Sequence, residues 1–201
     1  MSVAAAAVEM DARLPERGLG VYDKKVGMWI FLCSEVMFFA GLIGSYIILR
    51  FGAVNAWPLP GEVLNIPVTA VNTFILICSS VSMVKAFAAI EQGDQAGLKK
   101  WLVATVIMGA IFLGVQAYEY SELVHHGFTP ASGLYGSTFF TMTGFHGFHV
   151  LSGVVSMIYL TQKAFRGHYT KENHEGIEVI GLYWHFVDLV WIVLFTVVYL
   201  I

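Results

Sequence analysis

Residues 181–201, GLYWHFVDLVWIVLFTVVYLI, are long and apolar enough to cross a bilayer, yet they include His185 and Asp188. A spanning helix needs about 20 apolar residues. Ionisable groups at that depth are costly and count as functional candidates until a partner explains them. Two other apolar segments share the property: SEVMFFAG carries Glu35, and FHGFHV carries His146 and His149. Any fold for this chain must satisfy several polar side chains inside lipid.

The apolar stretches are continuous rather than alternating, which favours helices over a barrel. Five approach spanning length, at residues 27–51, 67–90, 98–124, 136–165 and 177–201. The chain is 57% hydrophobic and only 12% charged, against roughly a quarter charged in soluble domains. The expected fold is an all-α integral membrane protein, a bundle of five transmembrane helices over 27–201 behind a leader at 1–26. A net charge of −3 offers no basic footprint for nucleic acid.

Basic residues set the expected orientation. Arg13, Arg17, Lys24 and Lys25 precede the first span, Lys85, Lys99 and Lys100 flank the second connection, and Lys163, Arg166 and Lys171 flank the fourth. Only Arg50 lies on the other side, so ten of eleven basic residues share one side. The positive-inside rule then puts the N-terminus in the cytoplasm and the C-terminus outside. The leader, with Glu9 and Asp11 and no apolar core, is expected to be a short cytoplasmic segment and not a cleavable signal. Cys33 and Cys78 fall within spans and read as small packing residues. The outer loop at 55–67 carries Pro58, Pro60, Gly61 and Pro67, which is turn chemistry.

Glu35 sits eight residues into its span, about 12 Å deep. Keeping it charged there costs about 3 kcal/mol, and protonating an ordinary carboxyl at pH 7 costs a similar amount. A hydrogen-bond partner therefore decides its state. Glu35 is either an interhelical clamp or a proton-handling or subunit-facing group. His146 and His149, three apart, share a helix face, and Gly144, Gly147, Ser152 and Gly153 leave that helix thin enough for another helix or a lipid to approach. Hydrogen bonding to lipid head groups, helices or water is favoured for them over haem or metal ligation. His185 and Asp188, also three apart, are expected to pair with each other. Glu119, Glu122, His125 and His126 are expected to form an outer polar rim, with divalent-cation binding as the sharper alternative. Tyr118, Tyr120, Trp57, Trp101 and Tyr135 read as interfacial aromatics, while Trp184 and Trp191 should pack between helices. No nucleophile triad, phosphate loop, CxxC pair or dinucleotide fingerprint is present, so the sequence assigns no catalytic residue and no metal site to this chain.

The runs SEVMFFAG (34–41), QAYEY (116–120), YGSTFFTMTGFHGFHVLSG (135–153) and YWHFVDLVWIVLFTVVYL (183–200) resemble the signature segments of subunit III of haem–copper terminal oxidases. The likeness extends over nearly all of the chain from Lys25 onward. It implies a non-catalytic helical subunit without haem or copper of its own. Such a subunit packs against subunit I, whose haem–copper centre reduces oxygen to water and which pumps protons. The expected partners are subunits I and II, a small subunit IV and phospholipid bound in a cleft, within a larger respiratory supercomplex; copper is expected in subunit II for the cytochrome c type. On this likeness Glu35 matches the family's intramembrane carboxylate, His146 and His149 its lipid-cleft histidines, and His185 and Asp188 the pair of its last helix. The larger family form has seven helices, and this chain begins where the third would, so one wall of the lipid cleft has to come from elsewhere. The expected setting is the bacterial cytoplasmic membrane. Competing readings are a quinol-oxidase subunit, a small transporter, disfavoured because no span has an interior proline, and a haem-binding membrane anchor.

Overall fold

The computed structural model describes residues 22–52 and 57–201. Most of the expected leader, with Arg13 and Arg17, and Asn55 of the outer loop lie outside the described residues. Five long helices account for most of the rest: α1 (Asp23–Gly52), α2 (Ile66–Glu91), α3 (Gln95–His125), α4 (Leu134–Phe165) and α5 (Glu175–Phe195). One short turn of helix, Pro60–Val63, precedes α2, and a π-helical turn, Thr196–Leu200, continues α5. The described residues contain no strand.

Helix ends follow local chemistry. Asn65 caps α2 by accepting from the Val68 amide at 3.4 Å, with Pro67 in the first turn. Asp94 caps α3 by accepting from the Gly97 amide at 2.9 Å. These side-chain oxygens satisfy amides that have no partner within the helix. Between α2 and α3 the chain reverses at Gly93, whose φ of 80° suits glycine. The Asp94 amide there reaches back to the Ala89 carbonyl at 2.8 Å, closing the helix end.

Four helical segments are long and apolar enough to cross a membrane: Asp23–Gly52, Ile66–Glu91, Gln95–His125 and Glu175–Leu200. The expectation of five spans therefore holds for four on composition. α4 is long enough at 32 residues, about 48 Å, but His146, His149 and its glycines, serines and threonines dilute its apolar character.

α5 is the central helix and packs against α1, α2 and α4. Its Trp184 is fully buried and donates to Ser79 Oγ at 3.0 Å. Trp191, 1% exposed, donates to Thr73 Oγ1 at 2.9 Å. Both indoles thus fill the space between helices while bonding α2, as the sequence predicts, and each buried N–H finds an acceptor. α1 lies at the edge, burying only Phe39 and Tyr46. At one end of the bundle Lys24 pairs with Glu175 at 3.0 Å, and Tyr22 and Lys25 both bond Glu178. Lys85 lies over Trp101 at 4.5 Å, and Gln95 donates to the Tyr169 carbonyl at 2.9 Å. At the opposite end Arg50 bonds the Ile201 carbonyl. α1 and α5 therefore run parallel.

The aromatic belt is thinner than expected. Tyr118 is 63% exposed, but Tyr135 is buried beside Trp57, with ring centroids 5.3 Å apart. Tyr120 turns inward and its hydroxyl bonds Thr143 Oγ1 at 2.6 Å. A phenol that finds a partner inside the bundle has no need of the interface.

Candidate functional site

The polar residues of α1 and α4 meet in one place. Glu35 Oε2 lies 3.0 Å from His149 Nε2, and both side chains are largely buried. Because α1 starts at Asp23, Glu35 is about 18 Å along a helix of about 45 Å, close to its middle. The other ring nitrogen, His149 Nδ1, is 2.7 Å from the Phe145 carbonyl. A carbonyl only accepts, so Nδ1 carries hydrogen. Nε2 then faces the carboxyl with one proton to share: it accepts from a neutral Glu35, or donates to an ionised one. Behind the pair, Tyr183 of α5 donates to the His149 carbonyl at 3.1 Å and bonds Ser152 Oγ at 2.7 Å.

His146 does something different. It is 0% exposed and stacks on Trp191 at 4.8 Å with an interplanar angle of 24°. Phe39 and Phe112 approach it edge-on at 6.4 and 6.2 Å. Neither ring nitrogen has a hydrogen-bond partner among the described residues. Of the two places expected for His146, a lipid cleft or an interhelical position, a ring with no exposed surface takes the interhelical one. Three residues along a helix leave an offset of about 60°, enough to point His149 at α1 and His146 at α3 and α5.

The expected His185–Asp188 pair is also corrected. His185 Nδ1 instead contacts Ser80 Oγ of α2 at 2.6 Å. Asp188 is buried, and its Oδ1 has no partner among the described residues. A cross-helix hydroxyl wins because α5 presses this face directly onto α2. Ser80→Ala should therefore strand the imidazole and lower stability by about 1–3 kcal/mol, measured as thermal unfolding in detergent. Unfolding unchanged from wild type would show that the bond contributes nothing.

The outer rim splits. Glu119 is buried and is no part of a solvated rim: it accepts from Thr69 Oγ1 at 2.9 Å and from the Tyr199 hydroxyl at 3.3 Å. The π-helical turn, closed by the Ile201 amide on the Thr196 carbonyl at 3.2 Å, carries Tyr199 to that position. Glu122 and His126 remain on the surface as an i,i+4 pair at 3.7 Å, and His125 is exposed. Among the described residues no group of three or more His, Cys, Asp or Glu side chains is arranged to hold a metal ion. Cys33 and Cys78 are free thiols, with Cys33 on an exposed face of α1. Sequence reasoning missed Ser80, Thr69 and Tyr199. Each is an ordinary residue in an apolar run, and nothing in its neighbours along the chain signals a partner on another helix.

The family described as cytochrome c oxidase subunit III matches residues 18–201. A protein of Corynebacterium diphtheriae named cytochrome c oxidase subunit 3 is 43% identical over 178 residues, covering 88% of this chain and 87% of the relative. A probable cytochrome c oxidase subunit 3 of Mycobacterium tuberculosis is 43% identical over 176 residues, with 88% and 87% covered. The cytochrome c oxidase subunit 3 of Thermostichus vulcanus is 40% identical over 177 residues, with 88% and 86% covered.

Proposed function

The chain belongs to the cytochrome c oxidase subunit III family, and on that premise we propose that it is a non-catalytic, five-helix subunit of an aerobic respiratory oxidase in a bacterial cytoplasmic membrane. Four of its helices suit a multi-pass membrane protein, and α4, packed between α3 and α5, is the fifth span. The end rich in lysine faces the cytoplasm and Ile201 faces out. The complex reduces oxygen to water and moves protons. The haem and copper that do this belong to the partner subunits I and II, and this chain holds none. Its names among relatives favour cytochrome c over quinol as the electron donor.

The observation that carries this reading is the Glu35–His149 contact. An acid and a base that share one proton, near mid-membrane and largely buried but not sealed off, can hold that proton and pass it toward a neighbouring subunit. The same pair fastens the otherwise loosely packed α1 to α4. We assign the pair two tasks: stabilising subunit I and keeping its proton-uptake region supplied. Lipid binding beside His149, in a cleft completed by another subunit, belongs to the same reading.

Affinity purification through a tag on this chain tests the assignment. A large multi-helix partner with a haem spectrum and bound copper should accompany it, and the preparation should consume oxygen with reduced cytochrome c. A chain recovered alone, or one retaining a Soret band after separation from its partners, would overturn the assignment.

A further inference from the structure

A groove of about 560 Å3 lies on the outer face of α3 and α4, apart from the polar pairs described above. Val103, Val106 and Ile107 line one side, and Ile158, Phe165 and Arg166 the other. Its size is that of a small-molecule site, roughly 300–1,000 Å3. From Ile158 to Arg166 it follows α4 for about 12 Å. The Thr161 hydroxyl in its wall is already bonded to the Met157 carbonyl at 2.7 Å, so the trough is apolar until it reaches Gln162 and Arg166. A second cation stands at that same end: Lys99 Nζ lies 5.6 Å from the centre of the Phe165 ring. Neither Arg166 nor Lys99 has a carboxylate partner among the described residues.

We infer that this groove binds an acidic phospholipid, with a fatty chain along Val106, Ile107 and Ile158 and its anionic head group held by Arg166 and Lys99. Charge complementarity selects this occupant: an apolar trough ends at two cations. A partner's apolar helix would leave two cations facing hydrocarbon, and a free anion would leave the trough unused. Basic side chains at the membrane surface attract anionic lipid, and long cationic side chains reach the head-group level while their stems stay in apolar surroundings. The inference rests on the reading that α3 and α4 cross the bilayer.

The test uses the intact complex in vesicles of phosphatidylglycerol or phosphatidylcholine, each with a photoactivatable acyl chain, and maps cross-links by peptide mass spectrometry. Phosphatidylglycerol should label residues 103–107 and 158–165 well above phosphatidylcholine. The double variant Lys99→Gln/Arg166→Gln should lose roughly tenfold of that preference, and Lys99→Arg/Arg166→Lys should keep it. Equal labelling by the two lipids, an unchanged preference in the glutamine variant, or cross-links from the groove to another subunit would each overturn the inference. Met37 and Ile48, 77% and 73% exposed on α1, separate the two levels of failure. Labelling there without labelling in the groove removes the lipid site alone. No labelling on any long helix removes the membrane reading itself.

Discussion

An oxidase carrying Glu35→Gln in this subunit should assemble as well as wild type yet lose activity several-fold faster during sustained turnover, whereas Glu35→Ala should weaken both. The difference follows from the geometry of the pair. His149 Nδ1 is committed to the Phe145 carbonyl at 2.7 Å, so Nε2 presents a lone pair to Glu35 at 3.0 Å when the ring is neutral. A glutamine amide can donate to that lone pair and keep α1 fastened to α4. It cannot release or take up a proton at neutral pH. Alanine removes the bond altogether and strands a largely buried imidazole, at about 1–3 kcal/mol. That loss bears heavily on α1, whose side chains are mostly unburied. Turnover lifetime and proton uptake, measured on assembled complexes of both variants, distinguish the two tasks. If the glutamine variant matches wild type in both while alanine fails, the pair is a fastening and nothing more.

The sequence alone showed which segments are helical and which polar residues lie within them, because both are written in composition and spacing. It did not show what those residues touch. Glu35 and His149 are 114 positions apart, and only the crossing of α1 over α4 brings them together. His146 and His149 share a motif and a nominal face, yet an offset of about 60° is enough to send one into the aromatic core and the other to a carboxylate. His185 and Asp188 satisfy the spacing for a pair, but spacing states only that contact is possible; the close approach of α2 offered His185 a hydroxyl instead. Glu119 read as a surface residue because its neighbours in QAYEYSELVHH are polar. The structure buries it because a π-helical turn, which has no evident signal in TVVYL, delivers the Tyr199 hydroxyl. The family likeness, by contrast, was legible from the motif runs themselves and needed no contact information.

Trp184→Ala should be the most damaging single substitution in the bundle, costing about 3–5 kcal/mol, and Gly153→Ala should reveal why. Lipid is as apolar as the protein interior, so helices in a membrane are held mainly by close packing and interhelical hydrogen bonds. Trp184 is where that packing is tightest. A methyl group at Gly153 would meet ring carbons of Trp184 at 2.8 and 2.9 Å, and one at Gly109 would meet the far edge of the ring at 2.9 Å. The two glycines, on α4 and α3, thus both abut the six-membered ring of one indole from α5. Gly153→Ala alone should therefore destabilise by about 1–3 kcal/mol through overpacking. In a Trp184→Ala background the same methyl enters the space the ring has left, and its cost should vanish. Such non-additivity is the signature of direct contact. Thermal unfolding of the four proteins in detergent measures it. Equal penalties for Gly153→Ala in both backgrounds would mean that the glycine serves the helix backbone and that the indole is held by other contacts.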